Sequence, residues 1–232
     1  MEIEFAHIKA LNTGGFEFQE LVQHLLNTAE LSSKFSKEFD NSVWGYLIGL
    51  WHDLGKYSDD FQEYIRVNSG YEEDDQKRPK TDHTSAGAIL AKEILQGLWP
   101  PVAYCIAGHH AGLLNWLPDI GVSGDLSHRL GKHEYLDKIR SKISDEVLRK
   151  RALNTPAGKT IDPQQIHLWI RILFSCLVDA DFLDTESFMN PEASARRGNY
   201  QPINILSEAF TKHMAKLATD AKPTEINKIR KR

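Results

Sequence analysis

The sequence predicts an all-α fold, and three observations carry that expectation. Apolar residues recur at i, i+3, i+4 and i+7 through most of the chain, strictly alternating runs are few, and glycines and prolines frame the periodic segments. A fourth observation points to function. Histidines and aspartates fall at the ends or edges of the expected helices, which implies a helical bundle with a metal site where those ends converge.

In chain order, Phe18, Leu21, Val22, Leu25 and Ala29 form one buried helix face, with His24 beside it. A second helix is expected from Asn41-Ser42 through Trp44, Leu47, Ile48 and Trp51 to a C-terminal glycine at Gly55, which puts His52 and Asp53 on its last turn. A short helix around Phe61, Tyr64 and Ile65 precedes the charged stretch 71–80, a mobile loop that serves either as solvated connection or as a lid. Thr81 or Asp82 caps the next helix, with His83 at its first turn and Gly97 at its end. Pro100-Pro101 opens another, and His109-His110 lie near its end. Residues 113–124 form an irregular loop in which Trp116 either packs or offers a stacking surface for bases. After an amphipathic stretch from 125 to 152, Asp162-Pro163 starts a long helix that is apolar all round and therefore central, with Asp179 and Asp181 at its far end. A last helix carries Ile205, Leu206, Phe210, Met214 and Leu217, and the basic tail 228–232 is expected to fray.

Composition narrows the classes. With 232 residues and 41 % apolar content, the chain has enough material for one sizeable core, with or without an appendage. The net charge of −4 argues against gripping nucleic acid through the overall field, but bound cations would add positive charge locally. Cys105 and Cys176 lack CxxC spacing and lie in apolar helical patterns, so they read as buried thiols in a reducing cytoplasm. No signal peptide and no membrane span are expected.

The donor residues carry the chemistry. His52-Asp53 follows an apolar run, and packing gives no reason to end a core helix that way. Imidazole nitrogen and carboxylate oxygen are good ligands for divalent transition metals. His109 and His110, adjacent on a helix, point about 100° apart and reach one metal only near a helix end. Asp179 and Asp181 lie about 200° apart, so only one can face a site. Asp181 continues the line of Phe174, Leu177 and Val178, which favours it, with Asp179 the alternative. His7, His128, His133, His167 and His213 read as structural or surface residues.

The order of these residues resembles the HD metallophosphohydrolase superfamily. The runs Phe5-Ala6-His7, His52-Asp53-Leu54-Gly55-Lys56, Asp82-His83-Thr84-Ser85-Ala86-Gly87-Ala88, Gly108-His109-His110-Ala111-Gly112-Leu113 and 177–186 (LVDADFLDTE) resemble the HD nuclease domain of the CRISPR-associated type I nuclease-helicase. The resemblance implies an HD-domain helical bundle over 1–220 and a basic tail over 221–232 that would lead into helicase domains. No phosphate-binding GxxxxGK[ST] loop is present, so the chain is not expected to be the motor, and the resemblance implies a separate nuclease subunit or an excised N-terminal domain, with excision favoured.

The same resemblance implies the ligand sets. One divalent metal would be held by His24, His52, Asp53 and Asp181, and a second by His83, His109 and His110, with Asp53 bridging. A carboxylate can join two metals about 3.5–4 Å apart because it has two oxygens. His52, Asp53 and Lys56 make up the catalytic set; Lys56 either steadies phosphate charge or is a solvated helix-end cation. Imidazole-rich ligation suits Mn, Fe, Co, Ni or Zn better than Mg. The implied reaction is two-metal hydrolysis of single-stranded DNA. The implied partners are helicase domains in cis or trans and a crRNA-guided surveillance complex. Two other readings remain: an HD phosphohydrolase acting on a nucleotide or cyclic dinucleotide, and a non-catalytic docking module.

Overall fold

The computed structural model describes residues 3–118, 124–148, 164–198, 200–222 and 224–230. Packing divides the chain into two units, Met1–Pro191 and Glu192–Arg232. The all-α expectation holds for the first unit apart from one short ribbon.

That ribbon is an antiparallel hairpin of β1 (Phe5–Ala10) and β2 (Phe16–Glu20), with Ile8 opposite Phe18. Its turn uses Gly14 and Gly15 at φ +89° and +87°, a backbone region open to glycine without steric cost. Phe18, placed on a helix by the sequence pattern, belongs to β2 and packs against Phe5 and Tyr71 with ring centroids 4.8 and 5.0 Å away. The segment Phe16-Glu17-Phe18-Gln19-Glu20 alternates strictly, and the distance from Phe18 to Leu21 and Val22 matches helical spacing only by coincidence.

The helix α1 (Leu21–Lys37) buries Leu21, His24, Leu25, Thr28, Ala29, Ser32 and Ser36. Against it lies α2 (Ser42–Trp51), buried from Trp44 onward. This helix ends at Trp51 rather than at Gly55. Asp53 leaves helical geometry at φ −114°, ψ 24°, and a 3-10 turn follows over Leu54–Tyr57. Gly55 has a different task. A Cβ there would stand 2.5 Å from His83 Cα, and the Gly55 N–H donates to the His83 carbonyl at 3.1 Å. Only a residue without a side chain lets this turn sit flush against the backbone of His83.

Next come α3 (Asp59–Asn68), capped by the Ser58 hydroxyl, and an irregular exposed stretch through residue 80. Arg78 ties that stretch to α3 through Glu63 at 2.7 Å. The helix α4 (Ser85–Ile94) begins after His83. The Asp82 carboxylate accepts from the Thr84 and Ser85 amides at 3.0 Å each, so Asp82 is the capping residue in effect. Gly97 does not end α4; Leu95 does, and Gly97 lies in a 3-10 turn over Gln96–Leu98. Pro100 and Pro101 sit in the first turn of α5 (Trp99–Gly108), where a missing N–H costs nothing.

The amphipathic stretch after residue 124 breaks into three one-turn helices, α6 (Leu126–Arg129), α7 (Glu134–Asp137) and α8 (Asp145–Leu148). These helices and the turns between them deliver Leu126, Leu130, Leu136, Ile139, Ile143 and Val147 to the core, and the Trp51 indole donates to the Val147 carbonyl at 2.9 Å. The expected helix start at Asp162-Pro163 lies outside the described residues.

The long helix α9 (Ile166–Met189) corrects two expectations. It packs on α1, α2 and α5 through one face, Leu173, Cys176, Leu177, Ala180 and Asp184, while Leu168 and Phe182 remain 55 % and 58 % exposed. Apolar composition all round therefore did not make it central. It also runs on past residue 181, so Asp179 and Asp181 lie in its interior rather than at its end.

The helix α10 (Pro191–Ala195) begins at the junction. In the second unit, α11 (Ile203–Asp220) exposes Ile203, Leu206, Phe210, Met214 and Leu217, and α12 (Glu225–Arg230) is helical where fraying was expected. Both α11 and α12 fall in the second unit. No helix among the described residues is long and apolar enough to cross a membrane.

Candidate metal centre

Four of the histidines are held in the same way. His52, one residue past α2, donates from Nδ1 to the Gly49 carbonyl at 2.7 Å. His109, one residue past α5, donates to the Ile106 carbonyl at 2.7 Å. His83, just before α4, donates to the Thr81 carbonyl at 3.1 Å. His24, within α1, bonds to the Asp184 carboxylate at 2.6 Å. A carbonyl can only accept, so Nδ1 carries a hydrogen in the first three, and Nε2 is the ring nitrogen left to meet a proton or a metal. The ionised Asp184 sets the same tautomer in His24.

Those Nε2 atoms converge on Asp53. Oδ2 of Asp53 lies 3.5 Å from His24 Nε2 and 3.3 Å from His52 Nε2, and Asp181 Oδ1 lies 3.4 and 3.5 Å from the same two nitrogens. Oδ1 of Asp53 turns the other way, 3.2 Å from His109 Nε2 and 3.8 Å from His83 Nε2. The result is two donor groups that share Asp53: His24, His52, Asp53 and Asp181, and Asp53, His83, His109 and His110. All seven residues singled out as ligands are in these groups. Asp179 is exposed and in neither.

The Nε2 atoms of His24, His52, His83 and His109 are buried and make no hydrogen bond. An unsatisfied buried polar atom costs about 1–3 kcal/mol, and four around one carboxylate need an explanation. Donor spacing supplies one. Two ligand atoms each about 2.1 Å from a common ion stand roughly 3.0–3.4 Å apart at octahedral or tetrahedral angles. The separations around Asp53 lie mostly in or close to that range. The residues present therefore fit divalent cations, and each second ring nitrogen is anchored in the way that fixes a ligating imidazole.

Electrostatics agree. Burial would raise the Asp53 carboxyl, but the Lys56 and His52 cations hold it well below the usual range. Burial would lower His52, but the Asp53 and Asp181 carboxylates lift it to about 10. Protons thus occupy, in the metal-free protein, a place with strong attraction for positive charge. In the second group burial dominates: it pushes His83 down, and it takes His110, helped by the neighbouring His109, to about 4.

Lys56 is not a solvated cation. Its ammonium is buried, 2.7 Å from Asp53 Oδ2, and donates to the Ala6 carbonyl at 3.4 Å. His7, in neither donor group, bonds Gln19 Oε1 through Nδ1 at 2.8 Å, and its ring meets His24 edge-on at 5.1 Å. Trp116 is 44 % exposed with its ring 6.0 Å from Trp99, and it is in neither donor group.

Residues 21–116 match the HD domain family model. The match holds His24, His52, Asp53, His83, His109 and His110; Asp181 comes from α9, beyond it. HD domains are generally metal-dependent phosphohydrolases, and the two donor groups here are residues that could hold such metals. No curated protein matches the chain.

One supporting residue escaped the sequence reading. Asp184 accepts from His24 Nδ1, from Gln19 Nε2 at 2.7 Å and from Asn27 Nδ2 at 2.8 Å. Its signal was available: it follows Asp181 by three residues, which puts both on one side of a helix.

Proposed function

We propose that this protein is a metal-dependent nuclease that hydrolyses phosphodiester bonds of single-stranded DNA in CRISPR interference. The observation that carries a two-metal reading is the division of Asp53, one oxygen to each donor group. The substrate comes from the sequence resemblance, which extends past the family match into the segment 177–186 that supplies Asp181.

In this reading His24, His52, Asp53 and Asp181 hold one divalent ion, and Asp53, His83, His109 and His110 hold the other. Mn, Fe, Co, Ni or Zn suit these donors. When bound, the pair supplies a water of lowered pKa and a positive charge facing the phosphoryl oxygens. The chain's own residues do the positioning. The Gly49, Ile106 and Thr81 carbonyls and Asp184 aim the imidazoles, and Lys56 keeps Asp53 ionised and oriented. His110 is exposed and marks the solvent side from which a strand enters. A helicase, in cis or in trans, would feed that strand after loading by a crRNA-guided surveillance complex in the cytoplasm.

The test is a parallel assay on circular single-stranded DNA and on small phosphodiesters, before and after chelation. Cleavage of the circle that stops on chelation and returns with Mn or Co is expected. Turnover of the small substrates alone would replace this reading with a nucleotide or cyclic-dinucleotide phosphohydrolase. An inert metal-loaded protein that binds its partners normally after His52→Ala would replace it with a docking module.

A further inference from the structure

Cavities of the first unit differ in charge. One of about 310 Å³ adjoins the second donor group and is lined by Lys80, Asp82, His83, Thr84, His110 and Arg129, with small neighbours. Its volume falls at the low end of the roughly 300–1,000 Å³ range of small-ligand sites. Two cations and one carboxylate face it, and the carboxylate is already committed. Asp82 Oδ1 accepts from the Thr84 and Ser85 amides, and Oδ2 accepts from the Ser85 hydroxyl at 2.7 Å.

The cations are not committed in that way. Arg129 is fixed to the wall by Nη1, which donates to Thr84 Oγ1 at 2.9 Å and to the Ala107 carbonyl at 3.0 Å. Among the described residues it forms no ion pair within 4 Å, although its charge helps to hold the Asp82 carboxyl below the usual range, and Lys80, which is exposed, forms neither an ion pair nor a hydrogen bond. The other described cavities lack this excess of positive charge. The one beside Asp184 has Glu20 and no cation, the one lined by Arg66 and Lys142 has four acidic residues, and the one that shares Lys80 balances Lys138 with Asp60 and Glu134.

We infer that Lys80 and Arg129 form an anion subsite that receives the phosphate next to the scissile one in a DNA strand. This rests on the nuclease reading above and deepens it. A guanidinium pinned at one nitrogen still presents a fork of donors that matches phosphate oxygens, and an ammonium adds an adjustable point charge. A polynucleotide always has a neighbouring phosphate to place there, whereas a simple phosphodiester has none. The subsite thus selects strands over small esters, and it contributes to binding rather than to bond breaking.

The experiment compares the wild-type chain with Lys80→Ala, Arg129→Ala and Arg129→Lys on two probes, a short single-stranded oligonucleotide and bis(p-nitrophenyl) phosphate. For the oligonucleotide, KM is expected to rise roughly threefold to tenfold in each alanine variant with kcat unchanged. Hydrolysis of bis(p-nitrophenyl) phosphate is expected to stay within about twofold of wild type. Arg129→Lys keeps the charge and should restore part of the loss, and Lys80→Ala removes only an exposed side chain, so neither result depends on a damaged fold. Anisotropy of a labelled oligonucleotide in chelator reads the same contact without chemistry. The slope of log affinity against log salt should fall by about 0.7 per cation removed. Unchanged oligonucleotide KM and unchanged salt slope would overturn the subsite, as would an equal loss on both probes. A wild-type protein that cuts neither probe overturns the nuclease reading instead, and the salt slope still decides the subsite.

Discussion

The Lys56 ammonium lies 2.7 Å from Asp53 Oδ2, the oxygen that also faces His24 and His52. A buried cation is thus built into the middle of a candidate metal centre, one turn beyond the residue that both donor groups share. It offsets carboxylate charge when cations are absent and leaves Asp53 Oδ1 directed at His109 and His83.

Replacing Lys56 by Met should therefore hurt the metal-free protein most. Removing one partner of a buried ion pair costs about 3–5 kcal/mol, and part of that cost should disappear when divalent cations are added. Thermal unfolding with chelator and with Mn measures both numbers. Equal destabilisation in the two conditions would mean that Lys56 acts as a packing residue.

Asp53→Ala should be the most damaging single change to activity, since it removes a donor from both groups at once. Metal content per chain is expected to fall at both positions, visible as loss of anomalous scattering at each. His83→Ala should empty only the group around His109.

Asp184→Ala should release His24 without touching a donor atom. Loss of such an outer partner typically lowers metal affinity about 10–100-fold. The loss should be confined to the His24 group, with the His83 group retaining its ion. Asp184→Asn, which can still accept from Nδ1, should recover much of the affinity in a titration with Co followed by its visible spectrum.

Stability of the metal-free protein should peak near pH 6.5. His52 is raised to about 10, so its contribution is complete below its unfolded value and is lost as pH climbs through 10. His7 is pushed down to about 3, mainly by burial and then by Lys56, and His110 to about 4. Both favour the folded state when neutral, so stability falls as pH drops below about 6.5. Saturating metal should flatten the upper limb, because the ion takes the place of the protons. Urea unfolding from pH 4 to 9, with and without metal, tests the shape.

Much of this site was readable from the chain, for a physical reason. Histidine and aspartate are expensive to bury, so their appearance at the ends of apolar segments marks a place where something other than packing repays them. The turn angle of a helix said that only one of Asp179 and Asp181 could face the site, and the apolar line of α9 together with the family resemblance favoured Asp181, which stands in one of the donor groups. Elements whose form depends on non-local partners were not readable. Phe18 had helical spacing by chance but pairs in β2, and Gly55 looked like a helix terminator but serves as a seat for His83. Asp184 had only its three-residue spacing from Asp181 as a signal, and its role became visible through its contacts to His24, Gln19 and Asn27.

By itself the sequence determined the helical class, the donor types and their order along the chain, because periodicity and side-chain chemistry are local properties. Only the tertiary structure decided which oxygen of Asp53 faces which imidazoles, that Lys56 is buried beside it, and that α9 offers one face rather than all of itself to the core. Those outcomes depend on how distant segments approach one another, and on which close approaches a missing side chain permits.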